Sequence, residues 1–512
     1  MIQSNPRSLR FIVAGLLLGI LMAAMDNTIV TTAMGTIVSD LGGMEQFVWV
    51  TSAYMVAVMA GTPIFGKLSD MYGRKRFYVF GIVVFLLGSI LCGLATSITQ
   101  LSLFRVIQGI GGGALMPIAF TIIFDIFPPK SRGKATGLFG AVFGLSSIVG
   151  PLLGAFITDH LGWNWVFYIN VPVGIVSFIL IMGFYKESPS HMKQKIDWFG
   201  AITLVGAIVC LMFGLELGGD TYAWNSAQII GLFAGFAALL IAFLLIERKA
   251  SEPIISFEMF KVRLFAASNA VALFYGAVFI VATVYIPIFV QGVYGGSATN
   301  SGLILMPMMI GSVIGAQSGG LLSTRLSFRN IMLISIVFFI AGMILLGTLN
   351  SDSSRALLTV YSIITGIGVG FSFSTLNLAS IHHFEMRQRG SATSTITFMR
   401  SLGMTVGITI FGIIQRNLLT GQMSKAFAGS GQDAASFGNP QNALTPENRK
   451  LIPEAVLNKI SDAMATSIAH TFLWSLIAVA LAALFIVLMP KDRVQVDKKA
   501  SAGKPAAQIS GE

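Results

Sequence analysis

The amino-acid sequence predicts an all-α integral membrane protein with about fourteen transmembrane helices, arranged as two six-helix bundles plus two extra central helices. The composition excludes an ordinary soluble domain, because 54% of the 512 residues are hydrophobic and only 11% are charged, against roughly a quarter charged in soluble proteins. Fourteen apolar runs are long enough to cross a bilayer, which takes about twenty residues. Motifs of the first half also recur in the second half at the same spacing, which predicts two related bundles.

The first apolar run follows Arg7 and Arg10 and imitates a signal peptide. It continues past Asp26, and many more runs follow, so we interpret it as a retained first helix. Helix boundaries predicted from apolar runs are accurate to about two to four residues. The fourteen predicted spans lie near residues 11–34, 47–65, 77–97, 101–124, 135–157, 164–185, 197–217, 226–246, 266–291, 300–322, 331–349, 356–378, 393–414 and 471–489.

Basic residues are concentrated on one side of this predicted layout. With the N-terminus inside, every segment predicted to be cytoplasmic carries lysine or arginine, whereas the short external loops hold only Arg355. An even number of spans then returns the C-terminus to the cytoplasm. The net charge of +11 is thereby explained by orientation and indicates no nucleic-acid partner. The cytoplasmic charges near the spans are Lys67, Arg74, Lys75, Arg76, Lys130, Arg132, Lys134, Lys186, Lys193, Lys195, Arg248, Lys249, Lys261, Arg263, Arg325, Arg329, Arg387 and Arg389.

Two stretches of the first half have counterparts in the second half. Residues 105–113 align with 362–370, and residues 131–137 align with 388–394. Arg105 and Arg132 are 27 residues apart, as are their counterparts Ser362 and Arg389. Parallel repeats of this kind place the substrate path at the interface between the bundles. The predicted domains are bundles at 1–190 and 262–490, two inserted helices within 191–261, and a cytoplasmic tail at 491–512.

One loop is much longer than the others. Residues 415–470 are polar, with a Gly/Ser/Gln-rich part at 429–432 and an expected helix start at 445–447. We predict that this segment is an external loop of the second bundle. The tail after Pro490 is rich in small and basic residues, and we predict that it is disordered.

A polar interruption at residues 66–76 separates the second and third spans. Its basic residues keep the loop on the cytoplasmic side of the membrane, but Asp70 contributes nothing to this membrane topology. The stretch resembles the signature loop of the major facilitator superfamily, G-x-L-x-D-x-x-G-R-R/K, with matches at Gly66, Leu68, Asp70, Gly73, Arg74 and Lys75. The resemblance implies the major facilitator fold and a latch between its two halves, formed by Gly66, Asp70, Gly73 and Arg74. In that latch Asp70 faces the N-terminus of the helix near 391–414. The alternative is a loop that only sets topology.

Asp26 lies inside the first span, where an isolated carboxylate costs on the order of 3 kcal/mol or more. It should therefore face the bundle interior or a wet cavity, where a carboxylate is suited to bind and release a proton. The stretch 25–35 resembles L-D-x-T-I-V-N-V-A-L-P of the drug:proton antiporter branch with fourteen helices, matching at Asp26, Thr28, Ile29, Val30 and Ala33. The alternative is that Asp26 only pairs with a polar neighbour on the next helix.

Arg105 begins the fourth span, and an intramembrane arginine must be paired or hydrated. Its counterpart in the repeat is Ser362, so only the first half keeps the charge. The family resemblance implies that Arg105 partners the proton-carrying Asp26; alternatively, Arg105 extends to the external interface. The glycines that follow, Gly109 and Gly111, have the spacing of a dinucleotide-binding fingerprint. They follow no predicted strand, so we reject a nucleotide site and expect these glycines to allow close packing of helices.

The fifth span resembles the antiporter motif G-x-x-x-G-P-x-x-G-G, with Ala155 in place of the last glycine. We expect its glycines and proline to thin and bend the helix against its partner in the other half. The motif implies export rather than uptake. Residues 163–174 and 195–200 resemble two further stretches of the same branch. The residues of the motif are Gly144, Gly150, Pro151 and Gly154.

Other polar residues carry weaker signals. Asp125 and Glu216, at the ends of their spans, are expected at the membrane interface rather than buried in the protein. Together with Asn27 and Gln108, Glu216 is a candidate for the substrate cavity. His382 and His383 resemble metal-ligand spacing only loosely, so we predict no metal and no cofactor. The sequence has no G-x-x-x-x-G-K-S/T, so ATP does not drive this protein from its own chain.

The sequence and the resemblance together predict a proton-coupled multidrug exporter, not an enzyme, similar to bacterial exporters of lincomycin, puromycin, quinolones and quaternary ammonium compounds. We expect a monomer in the bacterial plasma membrane whose partners are drugs, protons and the bilayer. The first alternative is export of one endogenous metabolite, lipid or siderophore. A non-transporting sensor is disfavoured by Asp26 and Arg105, and an uptake symporter is disfavoured by Gly150 and Pro151.

Overall fold

The computed structural model describes residues 6–42, 48–187, 196–219, 221–295, 298–427 and 453–494. Within these ranges the regular structure is helical, apart from one isolated bridge between Gly218 and Tyr222. The helices are α1 (Pro6–Leu41), α2 (Val48–Tyr72), α3 (Arg74–Gly93), α4 (Ile98–Ile126), α5 (Pro129–His160), α6 (Trp165–Tyr168), α7 (Asn170–Phe184), α8 (Trp198–Leu217), α9 (Ala227–Glu247), α10 (Phe257–Lys261), α11 (Arg263–Gly292), α12 (Ala298–Leu322), α13 (Phe328–Leu346), α14 (Arg355–Ser380), α15 (Arg389–Phe427) and α16 (Glu454–Leu488).

The predicted all-α membrane fold is confirmed. Thirteen spans in the described part of the chain are long and apolar enough to cross a membrane, with α6 and α7 together forming one of them. The remaining long helix, α5, has 32 residues, and each of the fourteen predicted runs coincides with one of these elements. Helices satisfy all of their interior backbone hydrogen bonds within the segment, which is why they are the form that a lipid-exposed apolar run adopts.

Several helices begin at a polar side chain that accepts a hydrogen bond from an N–H group of the first turn. Such caps are needed because the first four N–H groups of a helix have no partner within it. Asp197, which begins the first inserted helix as the sequence predicts, accepts from the backbone N–H of Gly200. The other capping residues of this kind are Ser97, Ser226, Ser327 and Ser354.

The long helices pack in two groups. Helices α1–α7 pack on one another, and α11–α16 form the second group, while α8 and α9 lie side by side and contact the first group through α2. The two groups meet along α5 with α12 and along α2 and α4 with α15. Close contact between helices requires small residues: a Cβ at Gly370 would collide with the backbone of Ser312 on the neighbouring helix.

The prediction of an external loop at 415–470 is wrong at both ends. Helix α15 continues to Phe427 and α16 begins at Glu454, so residues 415–427 and 454–470 are helical. The expected helix start at 445–447 lies outside the described residues. The sequence pattern failed because hydropathy detects only the lipid-facing length, about 30 Å, whereas a helix of 39 residues is roughly 58 Å long.

The two extensions are stabilised by packing on each other. Gln415 Nε2 of α15 donates to Ser467 Oγ of α16 at 3.5 Å, and the Lys459 ammonium of α16 lies 5.6 Å from the centroid of the Phe427 ring. Leu419, Met423 and Phe427 recur every four residues along α15 and are buried. A spacing of four places side chains on one face of a helix, so these residues form an apolar stripe on an otherwise polar segment. The stripe allows the helices to continue beyond the apolar run.

The beginning of the predicted disordered tail is ordered. The backbone N–H of Phe328 donates to the Asp492 carbonyl at 2.8 Å, and that of Val494 donates to the Ser323 carbonyl at 3.2 Å. These bonds attach residues 491–494 to the loop between α12 and α13. Residues 495–512 lie outside the described residues.

Candidate functional site

Asp26 and Arg105 form an ion pair in the interior of the first helix group. Asp26 lies on α1 and Arg105 on α4, and both side chains are 0% exposed. Arg105 Nη1 donates to Asp26 Oδ2. The alternative in which Arg105 extends to the interface does not fit, because its guanidinium is fully buried.

Two amide side chains bind the same carboxylate. Gln108 Nε2 donates to Asp26 Oδ1 at 2.7 Å, and Asn170 Nδ2 donates to the same oxygen at 2.9 Å. Both amides also donate to the Ser89 hydroxyl, each at 2.9 Å. The Asp26 partners therefore lie on α4 and α7 and not on the next helix along the chain, α2.

Arg105 has further contacts that hold its orientation. Its Nη1 donates to Gln108 Oε1 at 2.7 Å, and its Nε donates to the Val50 carbonyl at 3.1 Å. The guanidinium carbon lies 4.0 Å from the centroid of the Tyr54 ring, a cation–π distance. Arg105 Nη2 is buried without a hydrogen-bond partner in the described part of the structure. We name the residues Asp26, Tyr54, Ser89, Arg105, Gln108 and Asn170 the buried charge cluster.

Three members of the cluster, Tyr54, Ser89 and Asn170, are not predicted as site residues by the sequence. Asn170 occurs in the stretch 163–174 that resembles the antiporter branch, but no role follows from that resemblance. The sequence signal that could have identified Asn170 is its position as a lone amide in an apolar run. An amide in hydrocarbon needs a hydrogen-bond partner, and Asp26 is a group that can accept from it.

A second site lies where the two helix groups meet at one end of the molecule. Asp70, near the end of α2, accepts from the backbone N–H of Gly390 at 2.9 Å and from that of Ser391 at 2.7 Å. These N–H groups belong to the first turn of α15, which begins at Arg389. The carboxylate thus caps a helix of the other group, at the position where the helix dipole favours negative charge.

Two arginines and a second carboxylate surround this cap. Arg74 Nη2 donates to Asp70 Oδ1 at 3.3 Å and also to the Met386 carbonyl. Asp125, at the end of α4, pairs with Arg74 and with Arg389 Nη1, the latter at 3.2 Å. The expectation that Asp125 is interfacial is wrong: its side chain is 0% exposed, because two guanidinium groups compensate its charge.

The glycines of the signature loop lie at positions where a side chain would be strained or would collide with a neighbour. Gly73 adopts φ of 109°, a backbone conformation that side chains rarely allow, and it forms the break between α2 and α3. A Cβ at Gly66 would lie 2.8 Å from the Gly390 carbonyl and would collide with Ser394. Gly66 therefore permits α2 to approach the first turn of α15.

A hydroxyl pair continues the contact between the groups. Thr121 of α4 and Thr393 of α15 lie with their Oγ1 atoms 2.6 Å apart. We name Gly66, Asp70, Arg74, Thr121, Asp125, Arg389, Gly390, Ser391 and Thr393 the latch, and its side of the molecule the basic end. Arg105 and Asp125 are twenty residues apart on α4, so the latch and the buried charge cluster are separated by roughly 30 Å.

The glycines of the fifth span contact a different helix from the one expected. A Cβ at Gly150 would collide with Thr28, and a Cβ at Gly154 would lie 3.0 Å from the Ile29 carbonyl, so both glycines face α1 of their own group. Pro151 follows in the same helix and is partly exposed. These two glycines therefore lie against the helix that carries Asp26, while α5 also packs on α12 of the other group, as expected for the helix as a whole. The surroundings of Gly144 lie outside what the structure describes.

The remaining candidate residues are separated from one another. Gln108 belongs to the buried charge cluster, Glu216 is exposed near the end of α8, and the Asn27 side chain lies outside what the structure describes. His383 Nε2 lies 2.9 Å from Asp492 Oδ2. In the described ranges, no group of three or more His, Cys, Asp or Glu side chains is arranged to hold a metal ion.

Known proteins resemble this chain over nearly its whole length. The family model described as Major Facilitator Superfamily matches residues 16–408. The chain is 60% identical over 497 residues to "Multidrug resistance protein 3" of Bacillus subtilis strain 168, covering 96% of this chain and 97% of that protein. It is 37% identical over 510 residues to "Multidrug transporter protein MdtP" of the same strain, covering 96% of this chain and 94% of that protein.

Solved transporter structures share the fold at low sequence identity. The proton:xylose symporter XylE superposes with a TM-score of 0.58 at 15% identity, covering 94% of this chain and 100% of that one. The human organic anion transporter MFSD10 superposes with a TM-score of 0.56 at 14% identity, covering 93% of this chain and 100% of that one. The matched family model, the two relatives and the shared fold agree, and this chain belongs to the major facilitator superfamily of membrane transporters.

Proposed function

We propose that this protein is a proton-coupled multidrug exporter that works by alternating access. Drug export is supported by the two Bacillus relatives, whose names describe multidrug resistance and multidrug transport. The substrates are amphipathic drugs, cationic ones among them. The two helix groups correspond to moving bundles at 1–190 and 262–490, with the inserted helices between them and a cytoplasmic tail at 491–512.

The buried charge cluster is the observation that carries the proton-coupling part of the proposal. Asp26 has a carboxylate that can take a proton, and its charge is balanced by a fully buried Arg105. Protonation of Asp26 removes the negative charge of this pair and leaves the Arg105 charge buried without a partner. Breaking a buried ion pair in this way costs on the order of 3–5 kcal/mol. That free energy shifts an equilibrium between two conformations roughly a hundredfold or more.

The latch supplies the second conformational element. Asp70 and Thr121 of the first group bind α15 of the second group, so the groups are held together at the basic end. Because basic loops remain in the cytoplasm, we assign the basic end and both termini to the cytoplasmic side of the plasma membrane. In this conformation the cytoplasmic side is closed. Rocking of the groups opens the latch and exposes the drug path to the cytoplasm, and the protein acts as a monomer.

Ethidium efflux from loaded cells tests the proposal. We expect wild-type cells to lose ethidium. A protonophore should abolish this efflux because it collapses the proton gradient, and Asp26→Asn should abolish it because it removes the carboxylate that takes the proton. Asp159→Asn, an exposed acid of α5, is the matched control and should leave efflux unchanged.

Two other outcomes are informative. Protonophore-sensitive efflux that survives in Asp26→Asn would keep the exporter but place the proton site elsewhere. If cells with the protein in their membrane export neither ethidium nor other drugs, the transporter handles one endogenous metabolite, lipid or siderophore instead.

A further inference from the structure

Arg400 is a second arginine buried in the membrane-spanning part of the molecule. It lies on α15, eleven residues beyond Arg389 at the start of that helix, and therefore roughly 16 Å along it. This depth is about half of the hydrocarbon thickness. Arg400 is 9% exposed. An arginine at this depth is retained when it has a partner or a function.

Arg400 has no anionic partner in the described residues. The ion pairs of the described ranges involve other cations, and Arg400 Nη2 is buried without a hydrogen-bond partner. Arg105 provides the contrast, because Asp26 compensates its charge. The charge of Arg400 is thus available to an anion from outside the chain.

One aromatic ring contacts the Arg400 guanidinium, and a second ring packs on the first. The guanidinium carbon of Arg400 lies 4.2 Å from the centroid of the Phe373 ring on α14. Phe279 of α11 packs edge to face on Phe373, with ring centroids 5.7 Å apart. Both rings are partly exposed, which leaves apolar area for the body of a ligand. The site therefore combines one uncompensated cation with an aromatic surface.

We propose that Arg400 binds the carboxylate of amphipathic aromatic acids and zwitterions, with Phe373 and Phe279 contacting the aromatic body of the substrate. A guanidinium presents a planar fork of donors that matches a carboxylate with two parallel hydrogen bonds. Such a substrate supplies the anion that the chain itself does not provide. This assignment rests on the proposed export function and names the residue that recognises the carboxylate-bearing compounds among its substrates.

A pair of dyes with the same aromatic body tests the assignment. Rhodamine 110 carries a free carboxylate, and rhodamine 123 is its methyl ester. We would measure the uptake of both by everted membrane vesicles for the wild type, Arg400→Gln and Arg400→Lys. We expect Arg400→Gln to lower kcat/KM for rhodamine 110 roughly tenfold or more, and to change it for rhodamine 123 less than about twofold. Arg400→Lys keeps the charge but not the fork, and should fall between the two.

Arg416 provides the matched control, since it is an exposed arginine on the same helix and Arg416→Gln should leave both dyes unaffected. Equal loss of both dyes in Arg400→Gln, at wild-type abundance in the membrane, would overturn the assignment and indicate a structural role. Wild-type vesicles that transport rhodamine 123 but not rhodamine 110 would also overturn it and leave the exporter intact. Vesicles that transport neither dye nor ethidium would reject the proposed multidrug export itself.

Discussion

At the scale of single residues, the molecule treats two intramembrane arginines in opposite ways. Arg105 has a carboxylate, an amide oxygen and a backbone carbonyl as acceptors and lies over the Tyr54 ring. Arg400 has an aromatic ring but no anionic partner in the described residues, whereas a buried Nη2 without a hydrogen-bond partner is common to both arginines there. Bringing a charge out of water is costly, and a partner of opposite charge offsets that cost. The difference separates a cation held by the protein from one that is available to a substrate.

The Asp26–Arg105 pair predicts a non-additive pair of mutations. Arg105→Gln leaves the Asp26 carboxylate buried without its cation, and we expect it to lower the free energy of unfolding by about 3–5 kcal/mol. The double variant Asp26→Asn/Arg105→Gln removes both charges and should recover most of that stability, but it should not regain efflux. Thermal unfolding of purified protein and ethidium efflux measure the two quantities.

The stability and the efflux of these variants distinguish an ion pair that only supports the fold from one that couples proton binding to transport. A double variant that recovers both stability and proton-linked efflux would mean that the pair only supports the fold. A single variant as stable as the wild type would contradict the burial of an uncompensated charge.

At the scale of elements, α15 is a helix whose N-terminus is capped by a different helix group. Most caps come from the residue just before the helix, as Asp197 caps α8. The first turn of α15 instead donates to Asp70 on α2, more than three hundred residues away in sequence. The cap is lost when the groups separate, so the stability of this helix end depends on the conformation of the whole transporter.

Asp70→Asn is predicted to favour opening of the basic end. The change removes the negative charge that accepts two backbone hydrogen bonds, and hydrogen bonds to a charged group contribute about 1.5–3 kcal/mol each. A cysteine at position 393, introduced after Cys92 and Cys210 are replaced by serine, reports the opening. We expect its modification by a water-soluble thiol reagent to become roughly tenfold faster or more in Asp70→Asn.

The control for this experiment is Asp159→Asn in the same cysteine background, which should not change the rate of modification. An unchanged rate in Asp70→Asn as well would show that the carboxylate does not hold the groups together.

At the scale of the whole molecule, the buried charge cluster and the latch lie at opposite ends of α4. Arg105 belongs to the buried charge cluster, and Asp125 belongs to the latch. The same helix contacts α15 of the other group through Thr121. We infer that a change at Asp26 reaches the latch through movement of α4 as a rigid element.

A disulfide across the groups tests this movement. The hydroxyl oxygens of Thr121 and Thr393 lie 2.6 Å apart, so cysteines at both positions, with Cys92 and Cys210 replaced by serine, should oxidise to a cross-link. We expect oxidation to reduce ethidium efflux to background and a reducing agent to restore it, because the cytoplasmic side cannot open while it is linked. Each single cysteine variant, treated with the same oxidant, is the control. Full efflux by the cross-linked protein would contradict transport by separation of α4 from α15.

The sequence predicts the parts of the fold that depend on local composition. Fourteen apolar runs predict fourteen spans because hydrocarbon accepts only segments that satisfy their own backbone. The prediction failed at 415–470, where the α15 and α16 extensions are held by side-chain packing that hydropathy does not register. It failed again at Asp125, whose burial depends on two arginines from other elements.

The sequence alone determined the membrane class, the positions of the apolar spans, the resemblance to the family and the charged residues that require an explanation, because length, apolarity and motif spacing are properties of the chain itself. Only the tertiary structure decided which groups meet: Asn170 and Ser89 beside Asp26, Asp125 between Arg74 and Arg389, and Arg400 over Phe373. Those contacts depend on how helices that are distant in sequence are rotated about their axes and on how deep each lies in the membrane. Apolar packing between helices sets both quantities, and no local pattern records them.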